Sequence, residues 1–153
     1  MSKDKKTVIF DLDGTLALID KRRAISTKDN GKMDWDKFFD PQNIFLDKPN
    51  IPVIKMAQML RDQGFRIAIF SGRSDVTHNA TKVWLRKHGV RFDLLVMRDK
   101  PNHFMKDSDL KQMWLDTWVD KDDVFMVFDD RNQVVDMWRQ NGLTCFQVAD
   151  GDF

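Results

Sequence analysis

The chain has 153 residues, enough to bury a substantial core within one domain, and its 42% hydrophobic and 32% charged content is that of an ordinary globular protein. Lys plus Arg number 25 against 24 Asp plus Glu, so the net charge of +1 excludes strong whole-molecule attraction to nucleic acid and leaves open only a local basic face. Cys145 is the only cysteine, which excludes an intrachain disulfide and a cysteine-cluster zinc site; His78, His88 and His103 stand at no metal-ligand spacing.

Residues 1–6 are charged, and the apolar run that follows, residues 8–10, is too short for a signal-peptide core or a bilayer span. The expectation is a cytosolic protein with no membrane contact. In chain order, apolar runs at 7–10, 66–70, 94–97 and 124–128 predict strands, with a fifth at 143–148. They are near-continuous rather than alternating, as in strands covered on both faces. Between them lie helical faces: Val53, Ile54, Ala57 and Leu60, ended by Gly64; Val76, Ala80, Val83 and Trp84, ended by Gly89; Leu110, Met113, Trp114 and Trp118; and Val134, Val135 and Trp138, ended by Gly142. This alternation predicts one α/β domain over 1–153, a Rossmann-like doubly wound, mostly parallel sheet of about five strands. Ligands of such sheets sit beyond the carboxyl ends of the strands. Residues 18–50 are too long for a connector and too aromatic for a disordered linker, which predicts a small cap insert over those strand ends.

The strongest chemical signal is Asp11-Leu-Asp-Gly-Thr15, directly after the first strand. Two carboxylates two residues apart can share a hard cation, and Gly14 permits a tight turn. An EF-hand needs a third ligand before its Gly and a Glu at loop position twelve, where Arg22 stands. A chance Asp-x-Asp-Gly-Thr in such a chain has odds of about one in a thousand from average composition.

The run resembles the first motif of the haloacid dehalogenase-like phosphohydrolases. Ser71, after the second core strand, matches the second motif of that superfamily, and Asp129-Asp130, after the fourth, matches the acidic last motif. Singly, Ser71-Gly-Arg73 also reads as a turn before a helix capped by Ser74 or Asp75, and Asp130 as an N-cap. Their order behind Asp11-x-Asp13 favours the motif reading. For the third motif, a lysine with little signature around it, Lys106 fits best, with Lys111 and Lys100 as alternatives.

A closer resemblance is to the 3′-phosphatase domain of phage-type polynucleotide kinase, carried by Ser71-Gly72-Arg73, by the run from Asp129 to Arg139, by the ending from Phe146 to Phe153, and by Arg22 soon after the first motif. It is weaker across 18–50 and 98–122, and no Gly-x-x-x-x-Gly-Lys-Ser/Thr of a kinase occurs. The resemblance implies a HAD-like fold and a Mg²⁺-dependent phosphomonoesterase. Asp11 would be the nucleophile and Asp13 the general acid and base, with Ser71 and Lys106 on the transferring phosphoryl group. Thr15, Arg22, Gly72 and Arg73 would bind substrate, the two arginines forking onto phosphate. Mg²⁺ would lie among Asp11, Asp13 through its main-chain carbonyl, Asp130 and Asp129.

A short insert leaves an open mouth suited to a polynucleotide end, and Trp35, Phe38 and Phe39 either stack a base or, for most of them, pack the insert. The expected substrates are 3′-phosphorylated nucleic-acid ends or nucleotides, with a separate kinase or ligase as partner. A 5′-nucleotidase or other small-molecule phosphatase, and a non-catalytic nucleic-acid-binding module, are the alternatives.

Overall fold

The computed structural model describes residues 4–153; the first half of the charged N-terminal segment, residues 1–3, lies outside the described residues. The elements in order are β1 (Thr7–Phe10), β2 (Ala17–Leu18), α1 (Asp20–Ser26), α2 (Trp35–Phe38), a 3₁₀ turn (Pro41–Leu46), β3 (Lys48–Pro49), α3 (Ile51–Asp62), β4 (Arg66–Ser74), α4 (His78–Lys87), β5 (Leu94–Arg98), α5 (Asp107–Trp118), β6 (Val124–Asp129), α6 (Asn132–Gln140) and β7 (Cys145–Gln147). Five strands form one sheet in the order β5-β4-β1-β6-β7, every neighbouring pair parallel, as the strand-helix alternation requires.

Successive side chains of a strand face opposite sides of the sheet, and here both sides are covered. Val8, Phe10, Ile67 and Ile69 join Ile54, Ala57, Trp84 and Leu85 of α3 and α4 in one apolar cluster. Ile9, Ala68, Phe70 and Val127 join Leu110, Trp114, Val134 and Trp138 of α5 and α6 in a second. Phe10 stacks on Phe128 at 4.7 Å, and Phe70 meets Trp114 edge-on at 5.7 Å. The near-continuous apolar runs thus serve two cores at once.

The segment between β1 and α3 carries its own antiparallel pair, β2 with β3, and two short helices. Ile19, Phe38 and Ile44 sink into the first cluster, while Asn50 bonds back to the main chain of Thr15 and Leu16. Among the described residues no helix is long and apolar enough to cross a membrane.

Candidate active site

Asp11 directly follows β1 at the carboxyl edge of the sheet, and its N–H donates to the Phe128 carbonyl of β6. The chain then turns sharply, with the Leu12 carbonyl accepting from the N–H groups of Thr15, Leu16 and Ala17. Gly14 is essential to that turn. Its φ is +84°, and a Cβ there would overlap the Asp130 carboxylate. The Asp11 carboxylate is held at both oxygens: Thr15 Oγ1 donates to Oδ2 at 2.9 Å, and Lys111 Nζ donates to Oδ1 at 2.8 Å. Lys111 also reaches Asp129 Oδ2 at 3.0 Å, which receives the Trp138 indole N–H at 3.1 Å.

Carboxylate oxygens of Asp11, Asp129 and Asp130 lie within 4.8 Å of one another. Burial, then the Asp129 charge, raises the Asp11 carboxyl well above the usual carboxylate range, although Lys111 opposes this. Burial likewise raises Asp130. Three buried carboxylates served by one lysine form an all-oxygen donor set that fits a hard divalent cation.

Two residues on, Asp13 occupies an opposite electrostatic setting. Its Oδ1 accepts from Arg73 Nε at 2.7 Å and Arg22 Nη2 at 2.9 Å. Burial alone would raise its carboxyl, but the Arg73 and Arg22 guanidiniums hold it below the usual range. Behind them, Asp47 accepts from Arg22 Nε and Nη2, both at 3.0 Å, and from Arg73 Nη2 at 2.8 Å.

These groups open into a cavity of about 630 Å³ at the carboxyl ends of the strands. Asp107 stands at its mouth between Arg98, which knits the 102–105 loop by bonds to its carbonyls, and Arg131. Trp35 and Phe104 also line the cavity and are 58% and 97% exposed, whereas Phe38 is buried under the Arg22 guanidinium. Phe38 therefore packs; Trp35, stacked on Phe39 at 5.7 Å, presents much of its surface to solvent.

Of the residues singled out in the sequence, Asp11, Asp13, Gly72, Arg73, Asp129 and Asp130 line this one cavity. Thr15 lies buried behind Asp11, and Ser71 is buried with its hydroxyl accepting from the Arg73 N–H. The remaining candidates are placed as follows. Lys106 is the exposed residue before α5 and Lys100 is also exposed; the lysine on Asp11 is Lys111, one turn into α5 on its buried face. Arg22 and Arg73 are buried and donate to Asp13 and Asp47, and Arg73 also lines the cavity. The Asp13 carboxylate lies outside the acidic cluster, held by those arginines, so any contact of Asp13 with a metal there would be through its main-chain carbonyl.

Asp47, Asp107 and Arg98 belong to none of the motifs legible in the sequence. Asp107 reads in sequence as an ordinary acidic first-turn residue, and Asp47 carries no periodic signal at all.

The family model of the polynucleotide kinase PNKP phosphatase domain matches residues 5–153. A protein of Autographa californica nuclear polyhedrosis virus, inferred to be a bifunctional polynucleotide kinase/RNA ligase, is 32% identical over 96% of this chain and 20% of its own length. A solved Pnkp1/Rnl/Hen1 complex contains a chain 36% identical, with a TM-score of 0.80 over all of this chain and 49% of that one. A second, described as an RNA repair complex, gives 38% identity and a TM-score of 0.78 over 97% of this chain and 44% of its counterpart. The chain thus spans about a fifth to a half of these relatives' lengths. A haloacid dehalogenase-like hydrolase from Streptococcus pneumoniae shares the fold at 14% identity, with a TM-score of 0.69 over 96% of this chain and 85% of that one. The chain belongs to the polynucleotide kinase phosphatase-domain family and is a phosphatase of haloacid dehalogenase type.

Proposed function

We propose that this phosphatase removes 3′-phosphates from polynucleotide ends or nucleotides through an aspartyl-phosphate on Asp11. The observation that carries the reading is the pairing of Asp11 with Lys111 inside the acidic cluster, at the floor of a cavity far larger than a phosphate group. Asp11 attacks phosphorus in line with the 3′-oxygen, and Lys111 balances the charge of the phosphoryl group at Asp11. Asp13 serves the proton transfers, to the leaving oxygen and then from the attacking water. Asp11 and Asp130, with Asp129 beside them and the main chain of Asp13, would hold Mg²⁺. When bound it would screen the repulsion between carboxylate and phosphate.

A polynucleotide substrate is supported by the width of the cavity and by two exposed aromatics, Trp35 and Phe104, on its lining. Residues 18–50 act in this reading as a small cap that leaves the mouth open. RNA is the polymer named for two relatives, a kinase/RNA ligase and an RNA repair complex. A kinase and a ligase are accordingly the proposed partners in end repair.

The test is Mg²⁺-dependent phosphate release from matched 3′- and 5′-phosphorylated RNA and DNA oligonucleotides and from free 3′- and 5′-nucleotides, with Asp11→Asn as control. Release confined to 3′ ends, weakened in Trp35→Ala or Phe104→Ala more than on a small aryl phosphate, is the expected result. Release from 5′-nucleotides alone refutes the proposed substrate.

A further inference from the structure

Arg23, Arg73, Arg98, Lys111 and Arg131 line the cavity, and all but the first are occupied by aspartates. Arg73 pairs with Asp13, Lys111 with Asp11 and Asp129, and Arg98 and Arg131 both with Asp107. Among the described residues the Arg23 side chain forms no hydrogen bond or ion pair; its guanidinium meets the ring of Phe153, with Cζ 5.7 Å from the ring centre.

The helix that carries Arg23 accounts for this. Arg22 and Arg23 are neighbours in α1, and at 3.6 residues per turn they point about 100° apart. Arg22 is thereby buried on Asp13 and Asp47, while Arg23 is exposed on the cavity lining. Phe153 lines the cavity beside it and is anchored in turn by Arg131, whose Nε donates to the Phe153 carbonyl at 2.8 Å. The Arg131 Cζ lies 5.4 Å from the centre of the same ring. Two guanidiniums that share one ring repel each other, and the ring offsets only part of that repulsion. An anion beside them removes it. The mouth, with Arg23, Arg98 and Arg131 against Asp107, carries two formal positive charges, and Arg23 is its unpaired one.

From this placement we infer that Arg23 binds the internucleotide phosphodiester next to the 3′-terminal nucleoside, so that the site selects a polynucleotide end over a free nucleotide. The inference rests on the 3′-phosphatase reading above. With the terminal phosphate at Asp11, the terminal nucleoside extends toward the mouth and brings the first phosphodiester to Arg23. The planar fork of a guanidinium suits the two non-bridging oxygens of that group. A free 3′-nucleotide has no such group to offer.

The experiment compares kcat/KM, at saturating Mg²⁺, for a nucleoside 3′-phosphate, a dinucleotide 3′-phosphate and the same dinucleotide with a methylphosphonate linkage. That linkage keeps the shape of the phosphodiester and removes its charge; a deoxyribose on its upstream side keeps it stable. The wild type should prefer the charged dinucleotide over both other substrates by about tenfold, as for one charge-assisted contact. In Arg23→Ala the ratio of charged to neutral dinucleotide should collapse to within about twofold. Arg23→Lys should retain part of it, and Arg23→Glu should bring it below one. On the charged dinucleotide, log kcat/KM should fall with log salt less steeply in Arg23→Ala, by about 0.7 in slope.

Each ratio is taken within one protein, so a general loss of activity cancels from it. A wild-type ratio near one, or a ratio and salt slope that survive in Arg23→Ala and Arg23→Glu, overturns the inference. If the wild type releases no phosphate from any of the three substrates, the proposed function fails and the inference with it. Release from 3′ ends without the charge preference removes the inference alone.

Discussion

Replacing Lys111 by Met singles out one of the three lysines, Lys100, Lys106 and Lys111, that the sequence offers for one role. Lys111 Nζ sits 2.8 Å from Asp11 Oδ1 and 3.0 Å from Asp129 Oδ2, with its side chain 4% exposed. Unit charges about 3 Å apart attract by roughly 5 kcal/mol at an effective dielectric near 20, most of which offsets desolvation. Removing one partner is what costs, about 3–5 kcal/mol, because the other charges stay buried. Spread over a domain of this size, that lowers Tm by roughly 10 °C. In Lys111→Met, Asp11, Asp129 and Asp130 are left with no buried cation against them, so added Mg²⁺ should restore more stability than it gives the wild type.

Urea unfolding with and without Mg²⁺ measures both quantities. Turnover of a 3′-phosphorylated oligonucleotide with saturating Mg²⁺ should fall by about two to three orders of magnitude, as expected for a fixed charge on the transferring group. Lys106→Ala, at an exposed position, should change stability by less than about 0.5 kcal/mol and turnover by less than twofold. A Lys111→Met protein with wild-type turnover, or a Lys106→Ala protein that has lost it, refutes the assignment.

Asp11→Asn should abolish turnover and leave the circular dichroism spectrum unchanged; retained turnover would remove Asp11 as nucleophile. Asp11 and Asp130 both titrate above their usual range in the metal-free protein, so folding stability falls as pH rises from about 4 through the raised values. A divalent cation competes with those protons. At about a hundredfold excess over Kd the gain is roughly 2.7 kcal/mol, so calorimetry should show Mg²⁺ raising Tm by about 5–10 °C at pH 8 and by much less at pH 5. Equal shifts at the two pH values would contradict the shared site. Gly14→Ala, at φ +84° and against Asp130, should cost at least about 1–2 kcal/mol from the backbone alone. It should also weaken Mg²⁺ activation by about ten- to hundredfold, read from a Mg²⁺ titration of turnover.

The sheet was legible in the sequence because its strands are covered on both faces, and such strands appear as unbroken apolar runs. The ends of those runs then located Asp11, Ser71 and Asp129. Lys111 was legible in principle: it falls on the same face of α5 as Leu110, Trp114 and Leu115, and a lysine on a buried face is rarely unpaired. Lys106 precedes the helix as its N-cap residue and is exposed. Asp47 was not legible, since its significance lies in two arginines 25 and 26 residues away in sequence, joined to it only by the fold. The short helices α1 and α2 were equally hidden; at seven and four residues they present too few turns for a period, and tertiary packing of Arg22 and Phe38 holds them.

The same geometry explains how two carboxylates separated by one residue come to differ. Asp11 faces the α5–α6 side of the sheet edge, where three carboxylates meet a single lysine and the local formal charge is two negative, the complement of one divalent cation. Asp13 lies beyond the turn at Leu12 and enters a set of two arginines and two aspartates that is neutral in itself. The first cluster is completed only from outside the chain, and its carboxyls titrate high until it is. The second is complete on folding, so Asp13 is oriented before anything enters the cavity. The roles proposed for the two aspartates, a nucleophile whose repulsion is relieved on loading and a proton-transfer group fixed in advance, are those that a two-step phosphoryl transfer requires.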